Sequence, residues 1–354
     1  MGLFGNLLGS GESIFKNEDA LDAEFIPKLM PYRDEQQHYL ASCIKPLLAE
    51  RNGRNVFVFG VPGIGKTAAV RWVLRDLNDN TDDVRTLYVN CWQKNTTFQI
   101  YVDICHQLEY MFTQNKRAEE LLNIIKNVCN KKGVVFVFDE IDKAEDYEFL
   151  YSLLTDIYKR SIILITNYKE WLTDIEARLQ SRLVPEVLEF KEYNREETEG
   201  ILKQRIEYAF VSDVWSPDAF SLIAKTAFEL KDIRMGIHLL RESGLAAEEK
   251  ASKKILLENA KIAVQKIQEL SLKNSADLEE DTQLALAVCK EQSGGKIGDL
   301  FKIYKERGGQ GTYKTFQRKI AKLEQNNFIT ATKVTGKDGN TTLISAKERK
   351  LTEY

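Results

Sequence analysis

One stretch constrains this chain more than any other: Val56-Phe57-Val58-Phe59-Gly60-Val61-Pro62-Gly63-Ile64-Gly65-Lys66-Thr67-Ala68. Four consecutive apolar residues without polar alternation describe a strand buried on both faces. The three glycines that follow permit a loop so tight that successive backbone N–H groups point into its concave side. Residues 67–77 then have helical periodicity, so a helix opens its positive end at the same place. Strand, glycine loop and helix in this order fit GxxxxGK[ST], a loop that cradles phosphates. Gly60, Val61, Pro62, Gly63, Ile64, Gly65, Lys66, Thr67 and Ala68 are therefore candidate nucleotide-binding residues. Lys66 would reach the β- and γ-phosphates and Thr67 would ligate Mg²⁺. A chance glycine-rich turn is the rival reading, and the strand–loop–helix context weighs against it.

Further short apolar runs at 86–89, 134–138 and 161–166 alternate with helical stretches. That pattern predicts a parallel sheet covered by helices on both faces. After about residue 194 the strands stop, and only helical periodicity continues to about 270. Ser216-Pro217 marks one helix start, and Asp232 caps another. In the latter, Ile233, Ile237 and Leu240 form an apolar stripe beside Arg234, His238 and Arg241. The polar stretch 271–281 reads as a linker. Beyond it come three helices (282–292, 296–307, 312–325) and two strands (328–334, 341–345) around Lys337-Asp338-Gly339-Asn340, a hairpin turn. The expected division is an α/β domain at 1–194 with an N-terminal segment at about 1–24, a helical domain at 195–275, and a winged helix at 276–354.

The formal net charge of −3 conceals an asymmetry that bears on partners. From Asp281 onward there are 14 Lys and Arg against 8 Asp and Glu, so a basic end is joined to an acidic body. No apolar run approaches the roughly 18 residues of a membrane span, and no membrane partner is expected. Met1-Gly2-Leu3-Phe4-Gly5-Asn6 lacks the Ser or Thr of a myristoylation signal and reads as a lightly docked terminus. The five cysteines are scattered without a CxxC pair, and the three histidines have no ligand spacing. Reduced thiols and no zinc site follow, which points to a cytoplasmic protein.

Phe138-Asp139-Glu140-Ile141-Asp142 ends the third apolar run. Ligands of open α/β sheets gather at the carboxyl ends of strands, so Asp139 would hold the Mg²⁺ shell and Glu140 would polarise an attacking water. Asn167 ends the fourth run, where its amide would position that water. Arg178 or Arg182 would reach the γ-phosphate of a neighbouring subunit, and Arg234 that of its own. The bland readings are a solvated acidic loop, a turn asparagine and surface arginines.

The ordered set GVPGIGKT, FDEID, ILITN, the segment with Arg178 and Arg182, and KDIRMGIHLL, followed by three helices and a hairpin, resembles the archaeal origin-recognition and cell-division-control initiators. These are AAA+ ATPases. Phe25-Ile26-Pro27, Leu29-Met30-Pro31-Tyr32-Arg33-Asp34-Glu35, Tyr88-Val89-Asn90-Cys91 and Phe190-Lys191-Glu192-Tyr193 look like further landmarks, and the likeness spans about residues 14–346. It implies an AAA+ α/β ATPase domain, an all-α lid and a C-terminal winged helix. Lys66 and Thr67 would bind ATP or ADP with Mg²⁺, Asp139 and Glu140 would form Walker B, and Asn167 and Arg234 would be the two sensors. Arg33, Tyr193 and Arg205 would lie near the adenine. The trans arginine stays open between Arg178 and Arg182. The implied function is an ATP-dependent initiator, slow in hydrolysis, that binds double-stranded origin DNA, recruits the MCM helicase and assembles with itself or paralogues. The stretch 101–132 is abbreviated relative to a DNA-touching insertion common in that family.

The third helix of the C-terminal module places Phe316, Ile320 and Leu323 on one face and Tyr313, Lys314, Gln317, Arg318 and Lys322 largely on others. In a major groove Gln317 or Arg318 would read base edges, while Lys314, Lys319, Lys333 and Lys337 would meet phosphates. Two rival functions use the same residues: a DNA-binding regulator or mobile-element accessory ATPase, and an ATP-gated switch whose winged helix contacts protein.

Overall fold

In the computed structural model, which describes residues 13–276, 280–325, 328–336 and 339–346, the apolar runs become parallel strands. These are β1 (Val56–Phe59), β2 (Val84–Asn90), β3 (Gly133–Asp139) and β4 (Arg160–Thr166). A fifth, β5 (Glu186–Glu189), completes one sheet in the order β2-β3-β4-β1-β5. Every residue of β3 is buried. Its Val134, Phe136 and Phe138 join one apolar cluster with Leu87, Ile162 and Leu164, whereas Val135 and Val137 join another with Val56, Val58 and Ile163. Side chains alternate across a strand, so covering both faces requires an unbroken apolar run. The edge strand β5 was not anticipated because it carries glutamate at both ends and leaves Val187 56% exposed.

One face is covered by α1 (Asp34–Ile44) and α2 (Lys66–Asn80). The other carries α3 (Thr97–Gln107), α4 (Ala118–Cys129), α5 (Glu148–Asp156), α6 (Trp171–Asp174) and α7 (Ala177–Leu183). A parallel sheet sends every carboxyl end to the same edge. There, Phe59 is in register with Thr166, and Asn90 with Asp139. Since β1 lies between β4 and β5 while β2 is at the far edge, the chain reverses direction at β1, which opens a crevice at its end.

Three helices follow: α8 (Arg195–Ala209), α9 (Pro217–Leu230) and α10 (Ile233–Glu248). Their starts are capped, those of α9 and α10 at the residues the sequence marks. Asn194 and Glu197 exchange side chain-to-backbone hydrogen bonds of 2.9 Å, Ser216 accepts from the Ala219 N–H, and Asp232 accepts from the Arg234 N–H. The N-terminal segment runs between these helices and the sheet domain. Arg205 of α8 donates to Ala20 O and Phe25 O at 3.0 Å, while Arg75 of α2 donates to Ile26 O at 3.1 Å and Pro27 O at 2.9 Å. The leading residues 1–6 lie outside the described part.

The chain divides into two compact units, 1–264 and 265–354. The stretch expected as a linker, 271–281, is helical where it is described: α11 (Leu257–Ala276) runs into it and α12 (Glu280–Glu291) begins at its end, while 277–279 lie outside the described residues. Lys, Glu, Ala and Leu are good helix formers, so polarity alone does not break a helix. The second unit continues with α13 (Ile297–Glu306) and α14 (Tyr313–Gln325). Its antiparallel sheet of β6 (Gly295–Lys296), β7 (Ile329–Gly336) and β8 (Gly339–Ala346), in the order β6-β8-β7, accompanies the three helices and has the outline expected from the sequence. Two residues were too few for β6 to be seen in the sequence.

A polar lock holds these helices together. Asp281 accepts from the Tyr304 hydroxyl at 2.5 Å and the Gln310 N–H at 2.9 Å, and pairs with Lys319 at 3.2 Å. Burial alone would raise the Asp281 carboxyl, but Tyr304, the Gln310 N–H and Lys319 outweigh it and hold the group below its ordinary 3.8. A depressed carboxyl contributes stability above its unfolded value and loses it as pH falls through the folded one. Asp281→Asn should therefore destabilise the C-terminal unit by about 1–3 kcal/mol at neutral pH. Chemical denaturation monitored on this unit should show the deficit shrinking below about pH 4, where the wild-type carboxyl also protonates.

Candidate functional site

The crevice at the end of β1 is a cavity of about 590 Å³. Its floor is the glycine loop, with Gly63 at φ +80° and Gly65 at φ +85°, values that only glycine adopts freely. A Cβ on Gly63 would collide with the Asp232 carboxylate, and one on Gly65 would come within 2.9 Å of the Tyr193 hydroxyl. Gly63, Gly65, Lys66, Thr67 and Ala68 line the cavity together with Pro62. Gly60, Val61 and Ile64 support it from outside: the first two offer carbonyls to Lys66, and Ile64 is buried in the core.

Lys66 is the most constrained group. Its Nζ donates to Gly60 O and Val61 O at 2.8 Å and to Asn167 Oδ1 at 2.7 Å. Desolvation pulls its ammonium down to about 8, an effect that Asp139 partly opposes. Beside it, Thr67 Oγ1 donates to Asp139 Oδ2 at 2.7 Å. The Tyr88 hydroxyl donates to the same oxygen at 2.7 Å, and Oδ1 accepts the Glu140 N–H at 2.9 Å. Glu140 follows in a left-handed conformation, φ 51°, that turns its side chain into the cavity wall. Burial raises its carboxyl, and the neighbouring charges of Asp139 and Asp142 raise it further. Asp142 accepts from Thr166 Oγ1 at 2.6 Å, which fixes the strand end that carries Asn167.

On the helical side, Arg234 lines the cavity and is gripped by Asp232, with Nε at 3.2 Å and Nη2 at 3.0 Å from its two oxygens. Tyr193 and Arg205 also line it, as do Ile26, Pro27 and Met30 of the N-terminal segment. Arg33 does not line it directly but lies behind Tyr193, to whose hydroxyl it donates at 3.0 Å. Arg33 is 4% exposed, and its guanidinium donates to Ile64 O, Lys191 O and the Tyr193 hydroxyl and stacks 3.9 Å from the Tyr193 ring centre. A buried charge needs such partners, and here they tie the loop to the segment after β5.

Arg178 and Arg182 lie apart from the cavity on α7. Both are exposed and sit over the Tyr151 ring, at 4.2 and 4.7 Å from its centre; Arg182 also donates to Thr155 Oγ1 at 3.1 Å. On α14, Tyr313, Lys314, Gln317 and Arg318 are exposed, opposite buried Phe316, Ile320 and Leu323. Lys319 is a correction. Its side chain is 13% exposed and committed to Asp281 and Thr282, because it projects along the packed face of the helix. Lys333 falls on β7, and Lys337 lies outside the described residues.

Sequence reasoning overlooked Tyr88 and saw Asp232 only as a cap. The signal for Tyr88 was a hydroxyl-bearing ring two residues before Asn90, hence on the same strand face, one step from the register partner of Asp139.

The loop amides, Lys66 and the concave cavity suit a polyphosphate. Thr67 and Asp139 supply hard oxygen donors. Among the described residues no group of three or more His, Cys, Asp or Glu converges. A cation here would thus be completed by phosphate oxygens and water, the preference of Mg²⁺. Among the described residues no helix is long and apolar enough to cross a membrane.

A family profile for AAA domains matches residues 49–171, and one for the Cdc6 AAA+ ATPase-type lid domain matches 199–265. The ORC1-type DNA replication protein 2 of Methanosarcina mazei is 30% identical over 355 residues, covering 95% of this chain and 94% of that protein. The ORC1-type DNA replication protein 1 of Sulfurisphaera tokodaii is 34% identical over 263 residues, covering 71% and 66%. Among solved structures, the Aeropyrum pernix ORC1 protein in complex with DNA superposes with a TM-score of 0.70 at 23% identity, covering 96% of this chain and 95% of that one. The Aeropyrum pernix ORC2 protein in its ADPNP–ADP complexes gives 0.71 at 19%, covering 95% and 94%. These two likenesses establish the fold.

Gly63→Ala should weaken nucleotide binding at least tenfold, since the methyl group is strained at φ +80° and displaces Asp232. Equilibrium titration with a fluorescent nucleotide measures it, and wild-type affinity would contradict the assigned floor.

Proposed function

This chain belongs to the family of ORC1-type DNA replication proteins, AAA+ ATPases with a Cdc6-type lid, and on that premise we propose that it is an ATP-dependent replication initiator. The observation that carries the reading is the convergence of Lys66, Thr67, Asp139, Glu140, Asn167 and Arg234 on one cavity. It is supported by relatives seen with nucleotide and with DNA.

In this reading Lys66 exchanges its bonds to Gly60, Val61 and Asn167 for the β- and γ-phosphates of ATP. Thr67 and Asp139 would hold Mg²⁺, which would supply positive charge against that of the phosphates. Glu140, its carboxyl raised by burial, is matched to accept a proton from water, and Asn167, released from Lys66, orients that water. Arg234 meets the γ-phosphate from the lid, so that the nucleotide state is reported by lid position. One of Arg178 and Arg182, both of which sit over Tyr151, reaches the nucleotide of a second copy or a paralogue assembled on the same DNA. Hydrolysis is slow, because a switch depends on its states more than on turnover.

The exposed row Tyr313, Lys314, Gln317 and Arg318 enters the major groove of origin DNA. Gln317 and Arg318 meet base edges, and Lys314 meets phosphate. Lys333 and Lys337 of the wing add phosphate contacts. The DNA-bound protein acts at the nucleoid and recruits the MCM helicase in its ATP state.

Lys66→Ala should abolish nucleotide binding, while Glu140→Gln should bind ATP normally and hydrolyse it roughly 10²-fold or more slowly. Equilibrium binding and single-turnover hydrolysis read the two effects; undiminished ATP binding by Lys66→Ala overturns the site. Arg318→Ala should cost about 1–3 kcal/mol of affinity for a duplex from its own origin and relax specificity. Lys314→Ala should weaken all duplexes alike and reduce the salt slope by about one. Fluorescence anisotropy across a salt series distinguishes these outcomes, and no duplex affinity at low salt would exclude the DNA role.

A further inference from the structure

The carboxylate that caps α10 also has two other tasks. Asp232 Oδ1 accepts the Arg234 backbone N–H at 2.9 Å and Nε at 3.2 Å, and Oδ2 accepts Nη2 at 3.0 Å. A guanidinium carries five N–H donors in a rigid fork, and this grip leaves the Nη1 edge for another acceptor. The same carboxylate abuts the phosphate loop, for there is no room for a Cβ on Gly63 beside it, and the neighbouring Ile233 N–H donates to Gly63 O at 3.3 Å. Asp232 thus fixes the Arg234 fork against the loop itself. Arg234 is also near enough to Lys66 and Glu140 for their charges to act on one another.

We propose that Asp232 is the positioning residue that lets this site discriminate ATP from ADP, by presenting Arg234 to the γ-phosphate with its fork already oriented. The proposal rests on the reading of the cavity as an ATP site in which Arg234 meets the γ-phosphate. An arginine free to rotate must give up its rotamers on binding, which lowers an equilibrium constant roughly two- to tenfold. Asp232 removes that cost in advance. ADP, which lacks the γ-phosphate, gains nothing from it.

Asp232→Asn is the informative variant, because Asn caps helices as well as Asp does but cannot grip a guanidinium at two points. Binding of ATP and of ADP, each with Mg²⁺, is measured on the full chain by competition with a fluorescent ADP analogue. Four proteins are compared: wild type, Asp232→Asn, Arg234→Ala and the double variant. The expected result is that Asp232→Asn lowers the preference for ATP over ADP about fivefold, in line with the rotamer cost above, while ADP affinity and the thermal midpoint hold. In the Arg234→Ala background the same substitution should change nothing further. Should Asp232→Asn fold poorly, Asp232→Ser, which also caps, must give the same loss of preference. An ATP preference that survives both substitutions overturns the role of Asp232 alone, as does a loss that persists without Arg234. A wild-type chain that binds neither nucleotide overturns the ATP-site reading beneath it.

Discussion

Two hydrogen bonds of 2.7 Å, from Lys66 Nζ to Asn167 Oδ1 and from Thr67 Oγ1 to Asp139 Oδ2, tie the loop after β1 to the ends of β4 and β3. They can form only because the sheet is parallel and ordered β3-β4-β1, so that the three strand ends stand in a row. The loop must then be compact enough for Lys66 to turn back onto the carbonyls of Gly60 and Val61. Burying the ammonium costs enough to bring it down to about 8, and Asp139, held by Tyr88 and the Glu140 N–H, offsets part of that cost. The three acceptors of Lys66 are carbonyl and amide oxygens, whose place phosphate oxygens can take.

Two further pieces of chain, the N-terminal segment and the helical domain, also line the cavity. Arg75 and Arg205 hold the N-terminal segment from the sheet side and the helical side at once, through backbone carbonyls that any sequence would supply. Asp232 and Ile233 bring the helical domain against Gly63. A ligand seated between them touches both, so its charge can act on the lid, which is the requirement for a nucleotide-dependent switch.

Much of this was legible in the sequence, and the omissions have physical causes. Apolar runs revealed β1 to β4 because both faces are buried, whereas β5 is half-exposed at an edge and carries no run. Ser216 and Asp232 announced their helices because capping is a local chemical need. The segment 271–281 misled because polarity was taken for a linker, where helix-forming residues continue α11. Lys319 misled in the opposite direction: it is charged, yet a charge with enough partners can be largely buried, and its partner Asp281 comes from a distant segment. The bond from Tyr88 to Asp139 likewise depends on strand register, which residue type alone does not state.

The central claim is that phosphate loop, N-terminal segment and lid close on a single nucleotide. Hydrogen–deuterium exchange on the full chain, with and without ATP and Mg²⁺, addresses it most directly, because each piece yields its own peptide. The account predicts slower exchange in 60–68, in 24–31 and in 231–238 together, with the three protections appearing at the same nucleotide concentration. Protection of 60–68 with unchanged exchange in 231–238 would contradict it, since the lid would then take no part in binding.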